Sequence, residues 1–169
     1  MSPIVVFLAL AVPLLFFAAA RDVATRLIPD PIPIAIGVIG VATRLVEGWA
    51  AAGTSLLLAA AVFILLVPIA ARGWLGGGDV KLLSAMAVGL SPGYTWDFVV
   101  ATVFVGGALG VAYILGRRLA PETRVAGGAT LLRRVLAVEA WRMRRRGPLP
   151  YAVAIAGGGL LLLISLPRA

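Results

Sequence analysis

The sequence predicts an all-α protein embedded in a membrane, and three observations predict it. Apolar residues make up 62% of the 169-residue chain and charged residues only 13%, where soluble domains are nearer half and a quarter. The apolar residues gather into long runs, several approaching the roughly 20 residues a helix needs to cross a bilayer. Most of the charge lies in the short connections between runs. Backbone in hydrocarbon must satisfy its own hydrogen bonds, so such runs read as helices. The expected architecture is six transmembrane helices forming a single membrane-embedded domain over residues 1–169.

The first run, Pro3 to Ala20, is long enough to span, with Pro13 as a tolerated kink. A secretory signal fits it poorly, because no basic region precedes it and Arg21 follows. After the connection Arg21 to Pro31, Asp30 before Pro31 reads as a helix N-cap with proline in the first turn. The second segment, about Pro33 to Val46, is short for a span, and Arg44 and Glu47 mark its far end. The third runs from about Thr54 to Ala71.

Next comes Leu75-Gly76-Gly77-Gly78-Asp79-Val80-Lys81-Leu82, a polar interruption between apolar runs. The fourth segment ends at Leu90 before Ser91-Pro92-Gly93. It is too short to cross about 30 Å of hydrocarbon unless its start lies below the surface or the bilayer thins. Asp79 is therefore expected in a wet recess. The fifth span is Tyr94 to Leu115, where Gly106, Gly107 and Gly110 offer a close helix contact. The polar loop 117–147 holds nine arginines mixed with Leu131, Leu132, Val135, Leu136, Val138 and Trp141, the pattern of a basic helix on a membrane surface. The last span is Leu149 to Leu166.

Charge sets the orientation. The first, third and fifth connections hold thirteen Lys and Arg, and the other side holds Arg44 and Arg168. The positive-inside rule makes the first set cytoplasmic and places both termini outside, in the cytoplasmic membrane of the cell. The net charge of +8 then reflects loops on anionic lipid; nucleic acid is not an expected partner.

The chain has no cysteine and no histidine. That excludes disulfides, thiol nucleophiles, Ser-His arrangements and Cys or His metal sites. Acid–base chemistry falls to seven carboxylates: Asp22, Asp30, Glu47, Asp79, Asp97, Glu122 and Glu139. Asp22, at the cytoplasmic end of the first span, and Asp79, at the cytoplasmic start of the fourth, share one membrane face. Two carboxylates meeting in a low-dielectric recess cannot both be charged; one holds a proton while the other activates water. That is aspartic-protease chemistry, with no cofactor and no metal required. Gly76, Gly77 and Gly78 permit a tight turn and leave room for a peptide backbone.

The bland alternatives are helix capping for Asp79 and a solvated loop position for Asp22 beside Arg21 and Arg26. Asp30 is the rival member of the pair, Asp97 sits in a first helical turn on the wrong side, and Glu47 is a rim residue. Glu122 and Glu139 sit among arginines. Lys81 is two residues from Asp79 and does not face it along a helix; lipid headgroups and a substrate carboxylate are its candidate partners.

Gly76-Gly77-Gly78-Asp79-Val80-Lys81-Leu82 resembles the GxGD element of membrane aspartic proteases in the form found in type IV prepilin peptidases. Asp22 with Arg26-Leu27-Ile28-Pro29-Asp30 resembles that family's other catalytic segment, an aspartate followed by R-x-I-P-N, with Asp30 where asparagine is usual. Pro148-Leu149-Pro150-Tyr151-Ala152-Val153-Ala154-Ile155-Ala156 is similar to its last helix. The likeness covers nearly the whole chain. It lacks the tetracysteine and methyltransferase region of the large bifunctional members and is nearest the short peptidases of Flp/Tad-type pili.

The resemblance implies that Asp22 and Asp79 form the catalytic pair. It also implies that the substrate is a type IV prepilin or pseudopilin cut at the cytoplasmic face; whether the new N-terminus is methylated is not legible in the sequence. Two other classes compete. A proton-coupled transporter also uses intramembrane carboxylates but favours inverted repeats, and a non-catalytic subunit of a pilus or secretion assembly would bind a pilin without cutting it. The presenilin branch shares GxGD, but its tyrosine-aspartate segment is absent around Asp22. Oligomeric state is not legible.

Overall fold

The computed structural model describes residues 2–119, 130–145 and 147–166. The described residues form seven α-helices and no strand: α1 (Pro3–Thr25), α2 (Pro31–Glu47), α3 (Trp49–Ala71), α4 (Gly77–Gly89), α5 (Pro92–Leu119), α6 (Leu131–Arg144) and α7 (Tyr151–Ser165). Three of them, α1, α3 and α5 as far as Arg117, are long and apolar enough to cross a membrane. The shorter α7 is also apolar.

Several boundaries differ from the hydropathy reading. α3 begins at Trp49, well before Thr54, because small residues such as Ala50, Ala51 and Ala52 extend a helix without raising its hydropathy. α4 begins at Gly77, capped by Gly76, so Asp79 lies within the first turn and is not itself the cap. α5 begins at Pro92, which moves Asp97 out of the first turn. α7 begins only at Tyr151, since Pro148 and Pro150 cannot donate to a helix ladder.

α4 is the centre of the bundle. It packs mainly between α2 and α3, while α1 packs on α7 and α2, and α7 on α5. At 13 residues it is about 20 Å long, and it is buried along most of its length through Val80, Leu82, Leu83, Ala85, Met86 and Ala87. Around it lie Phe7, Leu8, Leu15, Ile36, Leu90, Phe98 and Ile155. The outer helices α3 and α5 are apolar on all sides and mostly exposed, as expected of surfaces that face lipid.

Lipid is as apolar as leucine, so helices associate through close packing of small residues. Gly158 of α7 lies so near α5 that a Cβ there would be 2.2 Å from Thr102 Oγ1, and one on Gly157 would be 2.8 Å from Val105. At the junction of α1, α2 and α4, a Cβ on Gly89 would be 2.3 Å from the Phe7 ring, and one on Gly40 would be 2.8 Å from the Gly89 nitrogen. Of the three α5 glycines expected to make a close contact, Gly106 does so, against Tyr151; Gly107 and Gly110 face open space. Glycine spacing marks where contact is permitted, but the rotation of the helix selects which glycine is used.

The two ends of the bundle carry different polar networks. At one end, buried Arg44 donates through Nε to Ser55 Oγ at 2.9 Å, Ser55 donates to the Leu90 carbonyl at 2.8 Å, and Arg44 pairs with Glu47. At the other end the segment after α1, the start of α4 and helix α6 carry a second network of charged groups.

Candidate active site

This second end of the bundle is assembled from both polar stretches of the first half of the chain. Asp22 sits on the last turn of α1 and Asp79 on the first turn of α4, each with 7% of its surface exposed. They are near enough for the charge of one to act on the other. The segment after α1 lies against the first turns of α4 at two points. A Cβ on Gly78 would be 3.0 Å from Ile28, and Lys81 Nζ lies 2.7 Å from Asp30 Oδ1.

Each glycine of the turn has a separate reason. Gly76 is occupied on its side-chain face by the neighbouring carboxylate, since a Cβ there would be 2.7 Å from Asp79 Oδ2. Gly78 admits Ile28. Gly77 has nothing within 4 Å of where a Cβ would stand, so its side-chain face is open. None of the three has the positive φ that only glycine adopts easily; among the described glycines that conformation occurs at Gly48 and Gly73. The turn needs glycine here for clearance, not for backbone freedom.

Around Asp22, the backbone N–H of Ala152 at the start of α7 donates to Oδ2 at 3.4 Å. Oδ1 of Asp79 is buried and has no hydrogen-bond partner among the described residues. A group of at least three carboxylates able to hold a metal is not found among the described residues. The arrangement offers two buried carboxylates, one with a donor already on it and the other with a free oxygen, and an opening beside them.

Other candidates fall elsewhere. Asp30 occupies the cap position of α2, but its side chain makes no capping hydrogen bond; it pairs with Lys81 instead. Lys81 therefore has a partner that the linear spacing did not offer, neither a headgroup nor a substrate. Asp97 is exposed near the start of α5, and Glu47 pairs with Arg44 at the far end. Glu122 lies outside the described residues.

Glu139 departs most from expectation. Among arginines it was expected on a polar surface, yet it is 8% exposed. It accepts hydrogen bonds from Arg26, Tyr113 and Arg142, and Arg142 also donates to the Val23 carbonyl at 2.7 Å. α6 is thus a basic helix docked by its acidic residue onto the ends of α1 and α5, with Leu131, Leu132 and Trp141 left outward.

The type IV leader peptidase family model matches residues 9–115. The Prepilin leader peptidase/N-methyltransferase of Bacillus subtilis (strain 168) is 32% identical over 161 residues, which cover 94% of this chain and 54% of that protein. The chain belongs to the type IV leader peptidase family. It spans about half the length of that curated relative. No solved structure matches it. Asp22, Asp79 and the glycine turn all lie inside the segment matched by the family model, whereas Glu139 and Tyr151 lie beyond it.

Proposed function

We propose that this chain is an aspartic endopeptidase that removes the short leader of type IV prepilins or prepilin-like proteins, with Asp22 and Asp79 as its catalytic pair. The observation that carries the reading is the burial of these two carboxylates together, at the end of the bundle that also holds Arg26, Lys81 and Arg142. Family membership supplies the reaction class, and the chemistry of the pair supplies the mechanism. The two carboxyl groups share one proton. The ionised one takes a proton from water as the water oxygen bonds to the scissile carbonyl carbon and the carbonyl electrons move to oxygen. The protonated one delivers its proton to the amide nitrogen as the C–N bond breaks.

The proposed setting is a cytoplasmic membrane crossed six times, with α6 as the additional helix at its inner face. Charge supports this: the basic connections lie at the same end of the bundle as the pair, so cleavage takes place on the cytoplasmic side. Buried on most sides, α4 need not span alone, because its neighbours shield its ends.

A cavity of about 410 Å³ opens between α3, α4, α5 and α7, lined by residues that include Leu66, Trp74, Leu75, Leu83, Val103 and Tyr151. Tyr151 is within electrostatic reach of Asp79, so the cavity adjoins the pair. We place the apolar helix of the substrate in this groove, with its leader end at the carboxylates.

The test is intact-mass analysis of a co-expressed prepilin. The wild-type protein is expected to yield a leader-free product of unmethylated mass. Asp22→Asn and Asp79→Asn each keep the shape and remove the ionisable proton, and each should lower cleavage by roughly 10²–10⁴-fold at undiminished membrane abundance. Full processing by either variant would overturn the pair.

A further inference from the structure

Arg26 is a partly buried cation that the catalytic pair does not account for. Its backbone lies at φ 57, ψ 26, the left-handed region, and it is the one non-glycine residue at positive φ among the described residues. That conformation closes α1, with the Arg26 N–H donating to the Asp22 carbonyl at 2.8 Å. Helices that end in this way usually place glycine there, because a Cβ is strained in it. Here the strain is borne by an arginine, and strain of this kind clusters where function requires a side chain in one place.

The side chain is only partly used. Nη2 is held by Glu139 and the guanidinium also acts on the Tyr113 hydroxyl, while Nε and Nη1 are buried with no hydrogen-bond partner among the described residues. Glu139 in turn is fixed by Tyr113 and Arg142, so the guanidinium is clamped by one nitrogen with the other two left over. Buried donors without a partner are rare and costly. Arg26 stands one helical turn beyond Asp22 and its backbone N–H is bonded to the Asp22 carbonyl, so the residue belongs to the same end of the bundle as the pair, and its charge acts on both carboxylates.

On the strength of the peptidase assignment, we infer that Arg26 is a substrate-binding residue. Its Nε and Nη1 donate to main-chain carbonyl oxygens flanking the scissile bond, and Glu139 is the positioning residue that aims it. A peptide bond can be cut only where the substrate backbone is extended, and an extended backbone presents carbonyls that have lost their helical hydrogen bonds and need other donors. An arginine with fixed geometry and spare donors meets that need; a lysine offers a single point charge on a flexible stem.

The experiment is cleavage kinetics of a purified prepilin by wild type, Arg26→Lys, Glu139→Gln and Asp22→Asn, with Tm measured for each. Arg26→Lys keeps a cation for Glu139 and loses the planar donors. It should lower kcat/KM roughly 10- to 100-fold at a Tm within a few degrees of wild type, and bind more weakly to the prepilin when Asp79→Asn prevents cleavage. Wild-type kcat/KM in Arg26→Lys would overturn the inference while leaving the peptidase reading intact; full cleavage by Asp22→Asn would overturn the reading itself.

A second measurement uses the unaltered protein, so it stands even where Arg26→Lys fails to fold. Prepilin peptides carry one thiocarbonyl at a time, a weaker acceptor, at each position beside the cut. At least one flanking position should slow cleavage by roughly 2- to 10-fold, and no effect at any position sinks the proposal.

Discussion

Substituting Gly76 by alanine isolates the placement of Asp79 from the stability of the fold. Gly76 has φ −70 and ψ 141, a conformation that alanine adopts freely, so the backbone need not change. The new Cβ would stand 2.7 Å from Asp79 Oδ2 and 3.6 Å from its Cγ, with the nearer contact roughly 1 Å inside ordinary van der Waals separation. The atom struck is the tip of a side chain, so the carboxylate swings away while α4 stays in place.

Exchanging glycine for alanine at an N-cap costs about 1 kcal/mol or less, a small effect on Tm. Moving a reacting group by about 1 Å costs on the order of 10²-fold in rate. Gly77→Ala is the internal control, because nothing lies within 4 Å of its added Cβ. The assay is cleavage of a prepilin by purified variants in detergent, read by intact mass, with Tm from tryptophan fluorescence. The expected result is a loss near 10²-fold for Gly76→Ala and little change for Gly77→Ala, both at near-wild-type Tm. Wild-type cleavage by Gly76→Ala, or an equal loss in Gly77→Ala, would refute displacement of the carboxylate as the cause.

Three further outcomes follow from the packing. Gly89→Ala drives a methyl group into the Phe7 ring at 2.3 Å and should destabilise the α1–α4 junction by about 1–3 kcal/mol; denaturant unfolding in mixed micelles checks this, and unchanged stability counts against it. Lys81→Ala removes an ion pair whose side chains are 49% and 65% exposed. Its stability should change by no more than about 1 kcal/mol, and a drop of several kcal/mol would mean that the pair is more structural than its exposure allows. Val103→Trp narrows the cavity between α3 and α5 and should raise KM several-fold for a full prepilin while sparing a leader peptide that lacks the apolar helix. Equal effects on both substrates would remove the groove from the binding path.

Much was legible in the sequence because lipid simplifies the problem. Backbone polar groups in hydrocarbon have no partner but each other, so apolar runs become helices and the all-helical class follows from composition, while among the described residues three helices are long and apolar enough to span. The same reasoning marked Asp22 and Asp79 out of seven carboxylates, and the fold places both at one end of the bundle. Boundaries shifted where alanine, glycine and proline carry little hydropathic signal, as at Trp49, Gly77 and Tyr151.

By itself, then, the sequence determined the all-helical class, the polar interruptions and the distribution of charge among the connections. Tertiary structure decided which groups meet: Lys81 with Asp30, Gly78 with Ile28, Gly89 with Phe7, and Glu139 buried among Arg26, Tyr113 and Arg142 rather than exposed. The physical reason is rotational. Hydropathy establishes that a helix exists, but a partner across the bundle depends on how each helix turns about its axis, which is set by small residues in close contact. Residues far apart in sequence, such as Arg26 and Glu139, acquire a shared role only when those contacts form.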